Sequence, residues 1–499
     1  MASTPKLRPT GGATSQASGQ NYRKLFWLFA AIASMLLIFF SGPYAGLSPE
    51  GQRVLGILAF AVIVWISEAI SYPLSSVCIF AFITLGLGFM PGGAKTGRAL
   101  SMALTGLTNG GWVLVVTGLF IAVIMLETGL EKRMALVILK IAGTKTRNLM
   151  AGMIIAMSVF AFFIPSITAR AATLCPIAVG LVEALGFNRR SQLGKALMLS
   201  LAISSSVSGV GVLSGGAQNP VTVSFVEKAT GQTVTWLQWL LYGEPFALVL
   251  TVITYFMVTR MVKVEFDEVP GGRELVQQQL EKLGRMSSRE KRLFVILLLT
   301  IVAWAAEPLH RIDANSVSVL TVLILLSPIV GVTDWKTVVP KVDWGAIALF
   351  GAGISLGELL IRTGAAAWAA KQSLGAMGVT TMAPLMVMIC CAIAITLVRT
   401  AFSSSTSAVS ALIPTVLGFL VTVAAKQPNI KIAGMTVVSS YIILFVCILP
   451  INAPHTTIAY GTGCYEAREH TRIGIPFAIV GLLVWLLFYV TYWRWLGLV

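Results

Sequence analysis

Apolar stretches of roughly 17–25 residues, the length that carries a helix across ~30 Å of hydrocarbon, recur from Leu25 to Val499 and set what this chain can become. Long polar sequence is confined to the first 22 residues and to 263–292. Charged residues make up 11% of the 499, too few to cover the surfaces of separate soluble globules. The sequence therefore predicts an all-α polytopic membrane protein with about 11 transmembrane helices, and argues against a soluble enzyme.

The net charge of +16 does not point to nucleic acid, because the basic residues lie in short loops beside apolar spans and no aromatic-rich basic face accompanies them. Six cysteines (Cys78, Cys175, Cys390, Cys391, Cys447, Cys464) sit in or next to apolar segments without CxxC pairs or metal-type spacing. They read as small hydrophobes, and neither a metal nor another cofactor is expected. Three histidines offer no base-and-orienter spacing for a hydrolase, and the glycine-rich stretch 209–216 lacks the lysine of a phosphate-binding loop.

Residues 1–23, basic and rich in Ser, Thr and Gly, read as a disordered cytoplasmic tail. Candidate spans follow at 24–42, 53–71, 74–90, 110–130, 236–262, 293–309, 314–331, 344–362 and 473–497. Four further apolar blocks, near 148–185, 194–232, 380–426 and 432–465, are interrupted at mid-membrane depth. Backbone leaves the helix inside a bilayer only where protein or a water-filled cavity satisfies it, so these breaks mark a buried site.

The breaks come in pairs. Ser166-Ile167-Thr168-Ala169-Arg170 is answered by Ser403-Ser404-Ser405-Thr406, and in each case a proline, Pro176 or Pro414, follows the threonine after eight residues. Gln218-Asn219-Pro220 is answered by Asn452-Ala453-Pro454-His455. An offset near 238 thus divides the chain into two repeats, each holding a re-entrant hairpin and a broken helix. With 148–185 and 380–426 as hairpins the repeats are inverted. An inside N-terminus then places 24 Lys/Arg on the cytoplasmic side and ten outside, with Arg170 and Arg399 inside membrane blocks.

These motifs, with the run Pro454-His455-Thr456-Thr457-Ile458-Ala459-Tyr460-Gly461-Thr462-Gly463, resemble the divalent anion:sodium symporter family over essentially the whole chain. That family carries Ser-Asn-Thr at each hairpin tip, where it meets a substrate carboxylate and helps build two sodium sites. Here the tips read Ser166-Ile167-Thr168 and Ser404-Ser405-Thr406, without either asparagine. The Ser-x-Thr-Ala-Arg run resembles the branch that exchanges one organic anion for another, including 2-oxoglutarate/malate, citrate/succinate and tartrate/succinate carriers.

The resemblance implies a homodimeric elevator in a bacterial inner membrane. Its scaffold helices would be 24–147 and 293–379, its transport elements 148–262 and 380–499, and its cytoplasmic linker 263–292. Apart from membrane lipid, the implied partners are succinate, malate, fumarate, 2-oxoglutarate, tartrate or citrate.

Losing an amide oxygen at each tip weakens a cation site, while hydroxyls and backbone N–H groups still suit an anion. Arg170 is read as a fixed cation standing in for sodium, its planar fork matched to a carboxylate. Arg399 is read either in the same way or as an ion-paired or snorkelling side chain. His455 is a possible donor or a structural residue, and Asn219 and Asn452 either complete the pocket or tie off broken helices. Glu68, Glu127 and Glu358 fit pairing or interface positions better than a proton relay. The expected activity is sodium-independent exchange of di- or tricarboxylates, with a sodium- or proton-coupled symporter as the alternative and an anion channel as a remoter one.

Overall fold

The computed structural model describes residues 12–264, 267–268, 272–375, 378–427 and 429–499. In the first half the helices are α1 (Gly12–Phe40), α2 (Pro49–Ser67), α3 (Tyr72–Gly88), α4 (Thr96–Ala103), α5 (Gly110–Thr128), α6 (Leu130–Ala142), α7 (Thr146–Phe163), α8 (Ile167–Ala184), α9 (Gln192–Ser208), α10 (Gln218–Thr230) and α11 (Trp236–Met261). The linker holds α12 (Gly272–Leu283). The second half contains α13 (Ser288–Ala305), α14 (Glu307–His310), α15 (Ala314–Leu326), α16 (Trp335–Val338), α17 (Trp344–Arg362), α18 (Ala365–Ala370), α19 (Pro384–Arg399), α20 (Ser405–Ala424), α21 (Ile432–Phe445), α22 (Pro454–Gly461), α23 (Ala467–Val490) and α24 (Tyr492–Trp495). No strand occurs among the described residues, which hold a single isolated bridge between Lys145 and Glu268.

Nine of the described helices are long and apolar enough to cross a membrane, and α3, α15, α19 and α21 are shorter apolar helices. Residues 1–11 of the tail lie outside the described residues. From Gly12 onward the segment read as disordered is the start of α1. The sequence reading also passed over α4, α6 and α12, whose short or amphipathic patterns fall below the length of a span.

The run α5 to α11 is repeated by α17 to α23, and local chemistry punctuates both copies alike. Each first helix is followed by a glycine at φ 71°, Gly129 or Gly364, a backbone region that favours glycine. Pro176 sits inside α8 and Pro414 inside α20. Asn109 caps α5 by accepting from the Gly111 N–H, and Asp343 caps α17 by accepting from the Ala346 N–H. The two inverted repeats interlock: α10 packs on α20 and α21 of the other repeat, while α22 packs on α8 and α9.

Helices α9 and α21 form the centre of this interlock. Every residue from Ala196 to Ser208 and from Gly434 to Phe445 is buried. Their serines are tolerated there because the hydroxyls bond back along the helix, Ser205 to the Ala202 carbonyl at 2.8 Å and Ser439 to the Met435 carbonyl at 2.7 Å. On the other side, the turn Thr105–Thr108 presses on α17, with the Gly106 N–H donating to Ser355 Oγ at 2.8 Å. A Cβ on Gly106 would overlap the Gly351 carbonyl oxygen, a backbone atom that cannot swing aside. Gly106→Val is accordingly expected to lower stability by ~1–3 kcal/mol or more, seen as a lower thermal unfolding midpoint; an unchanged midpoint would contradict this packing.

Candidate functional site

Two hairpin tips, 164–166 between α7 and α8 and 400–404 between α19 and α20, meet two helix breaks, 209–217 and 446–453, around one cavity of about 430 Å³. The local sequence forces each opening. Ser166 and Ser404 take extended conformations and use their hydroxyls as N-caps, accepting from the Ala169 N–H at 3.2 Å and the Ser407 N–H at 3.4 Å. Ile167, Ser405, Gln218 and Pro454, the first residues of α8, α20, α10 and α22, all line the cavity. Four helix N-termini, each with about half a positive charge of dipole, therefore share one space.

Six of the ten residues expected from the sequence line this cavity: Ser166, Thr168, Ser404, Ser405, Thr406 and His455. The His455 Nε2 is 2.9 Å from Ser206 Oγ, which fixes the ring against α9. The remaining four, Arg170, Asn219, Arg399 and Asn452, stand behind the wall. Both asparagines tie off broken backbone. Asn219 Nδ2 donates to the Gly209 and Val212 carbonyls at 2.7 and 2.9 Å. Asn452 Nδ2 donates to the Thr400 and Phe402 carbonyls at 2.8 and 3.2 Å, while its Oδ1 accepts from the Leu449 N–H at 2.7 Å.

The arginines differ from the carboxylate fork read from the sequence. Both are fully buried, neither lines the cavity, and neither pairs with a carboxylate among the described residues. Arg399 donates to the Ile443 carbonyl at 2.8 Å, the Phe402 carbonyl at 2.9 Å, the Asn452 carbonyl at 2.9 Å and Ser405 Oγ at 3.0 Å. Arg170 donates to the Ile164 carbonyl at 2.9 Å and Ser208 Oγ at 3.3 Å, and its Nε has no partner. Each guanidinium thus gathers carbonyls left over where helices stop, and Arg399 hydrogen-bonds to the cavity wall through Ser405. The ion-paired and snorkelling readings of Arg399 are corrected by the same contacts.

The sequence reading did not anticipate Gln218, Tyr72, Lys341 or Asp343, which also line the cavity. Gln218 Nε2 is buried without an acceptor and so offers a donor to a ligand oxygen. Its position in a polar break was a usable signal; Tyr72, Lys341 and Asp343 come from distant helices and carried none. Lys341 is bound to Glu127 at 2.7 Å and Glu358 to Lys228 at 3.4 Å, as the pairing reading of those glutamates expected. Glu68 ends α2 and accepts from the Tyr72 hydroxyl at 3.4 Å.

The sequence profile described as the sodium:sulfate symporter transmembrane region matches residues 22–499. The chain belongs to the divalent anion:sodium symporter family. It is 39% identical over 481 residues to a membrane protein of Cupriavidus necator, covering 95% of this chain and 93% of that one. To the sodium-dependent dicarboxylate transporter SdcS of Staphylococcus saprophyticus it is 24% identical over 463 residues, covering 88% of this chain and 85% of the relative.

The fold is also that of the YdaH transporter of Alcanivorax borkumensis, at a TM-score of 0.54, 12% identity and coverage of 85% of this chain and 98% of that one. MtrF of Neisseria gonorrhoeae gives a TM-score of 0.54, 10% identity and coverage of 85% and 95%. As a divalent anion:sodium symporter family member the protein is an integral membrane transporter, not an enzyme.

Proposed function

We propose that the protein exchanges organic di- or tricarboxylates of the succinate, malate, fumarate, 2-oxoglutarate, tartrate or citrate class across the membrane without sodium. The observation that carries this reading is the meeting of four helix N-termini in one cavity edged by serine and threonine hydroxyls and a free Gln218 amide. Such a site supplies N–H and O–H donors and positive potential, which carboxylates need.

Two features favour exchange over sodium coupling. A sodium ion needs several oxygen ligands, and both tips lack the amide oxygen that the family motif provides. The carbonyls of Ile164, Phe402, Ile443 and Asn452 already accept from guanidinium N–H groups. The built-in charges of Arg170 and Arg399 then balance the anion. With the site empty they stand uncompensated, and carrying them past a dry scaffold is costly, so reorientation requires a bound anion.

The accompanying topology is eleven crossings with the N-terminus on the cytoplasmic side of a bacterial inner membrane. Two copies would hold their scaffolds together while the hairpins and broken helices move as an elevator.

The name of the staphylococcal relatives favours a second reading, sodium-coupled dicarboxylate symport on the same architecture. Purified protein in liposomes separates the two. Labelled succinate, malate, 2-oxoglutarate or citrate should enter only vesicles preloaded with an anion, at the same rate in sodium and in choline. Entry into empty vesicles driven by a sodium gradient would overturn exchange and establish symport.

A further inference from the structure

Behind the first hairpin tip lies a second cavity, of about 380 Å³, walled by α6, α8 and the linker helix α12. It is held together from the linker: Arg133 of α6 donates to the Leu283 and Gly284 carbonyls, which end α12, and to Glu290 at 2.7 Å. Leu136, Leu139, Ile177, Leu181 and Val276 make most of the lining apolar. Glu131, Thr173 and the Ala172 carbonyl interrupt it with acceptors, beside the Gln279 amide.

Glu131 is 6% exposed, and its Oε2 has no partner. Its carboxylate lies in the first turn of α6, close to the Glu131 and Lys132 N–H groups, which leaves Oε2 unserved. At 13 residues α6 is shorter than the helices long enough to cross a membrane, and burial pushes this carboxyl up to about 7. Thr173 Oγ1 is likewise buried without a partner. Pro176 has no N–H to give the Ala172 carbonyl one turn earlier, so that oxygen loses its helical donor. Lys132 also lines the cavity but is exposed and forms no ion pair with Glu131 among the described residues. A buried carboxylate, a hydroxyl and a carbonyl together are complementary to a group with several N–H donors and a positive charge. The surrounding wall is complementary to an alkyl or aryl body.

We propose that this cavity binds a primary ammonium carried on an apolar body, the ammonium at Glu131 and Thr173 and the body against Leu136, Ile177 and Val276. A free amphiphilic amine and an aminophospholipid share that chemistry. The site adjoins the anion cavity, sharing Leu126 and Ala172 with it, but differs in charge preference and in its linker wall, and its occupancy is read without any transport assay.

The test is thermal unfolding of the full chain in phosphatidylcholine nanodiscs titrated with octylamine, octanol or octanoate. Octylamine should raise the midpoint saturably at concentrations ~10-fold or more below octanol, since it alone brings a charged donor to Glu131. Octanoate should have no effect. Glu131→Gln should weaken the octylamine response ~10-fold or more. Gly180→Leu fills the cavity from α8, where an added Cβ meets nothing within 4 Å, and should remove the response while leaving a folded protein.

Discs containing phosphatidylethanolamine identify the source. A wild-type advantage over Glu131→Gln without added amine means that a lipid supplies the ammonium, and no advantage means a free amine does. Equal responses to octanol and octylamine, or an octylamine response that survives both substitutions, would overturn the proposal.

Discussion

Arg399→Gln should reduce apparent affinity for a dicarboxylate by about 10³-fold and bring exchange close to background. A unit charge roughly 8 Å from a carboxylate, at an effective dielectric near 20, contributes ~2 kcal/mol, and a dianion feels it twice. The loss is larger than that of any single donor at the tips, because a neutral hydrogen bond contributes only ~1 kcal/mol net. Glutamine also cannot reach the Ile443, Phe402 and Asn452 carbonyls and Ser405 together, so the second tip loosens from the break it is tied to.

Stability should change less than affinity. Unpairing buried carbonyls costs ~1–3 kcal/mol each, but removing a buried, unpaired charge relieves several kcal/mol. Arg399→Lys separates the two effects, since it keeps the charge and loses the planar fork. It should recover affinity to within about tenfold of wild type. The measurements are counterflow of labelled succinate and ligand-dependent unfolding in the same preparations. Affinity within a few-fold of wild type in Arg399→Gln would remove the guanidinium from any electrostatic role at the site.

The tips and breaks were legible because their chemistry is local. A serine before a helix, a threonine two residues on and a proline eight beyond that define the same N-capped helix start wherever they occur, and the structure brings both copies to one cavity. What stayed hidden was direction. Arg170 follows Thr168 by two residues, which on a helix is about 200° around the axis, so the arginine is carried away from the space its neighbour lines. Gln218 and Asn219 differ by about 100° in the same way, and the sequence reading chose the one that turns inward. Tyr72 and Lys341 were beyond reach for another reason, since their presence at the cavity depends on how α3 and the start of α17 pack across the hairpins. The predicted spans 24–42, 53–71, 110–130, 236–262, 344–362 and 473–497 overlap helices long and apolar enough to cross a membrane, because hydropathy is summed over many positions; α7, α8 and α20, in the blocks read as hairpins, reach the same length. The orientation of one side chain at a break rests on two or three.

The sharpest consequence concerns what Arg399 replaces. Arg399→Ala combined with Ser405→Asn should convert transport to sodium dependence. The first change leaves the carbonyls of Ile443 and Asn452 without their guanidinium donors and the Phe402 carbonyl with the longer Asn452 amide bond alone, each lost donor costing ~1–3 kcal/mol until something positive replaces it. The second adds the amide oxygen that the family motif carries and this tip lacks. Hard cations take oxygen ligands of this kind, completed by water, so sodium can return the charge that the guanidinium supplied.

The double variant should carry labelled succinate at least ~10-fold faster in sodium than in choline, and sodium at 100 times its Kd should stabilise it by ~2.7 kcal/mol. Wild type should show neither response. Arg399→Ala alone, one ligand short, should be inactive in both salts. A double variant whose unfolding midpoint ignores sodium would mean that these carbonyls are bound to a guanidinium for structural reasons only, and that the charge at the second tip has no part in choosing exchange over symport.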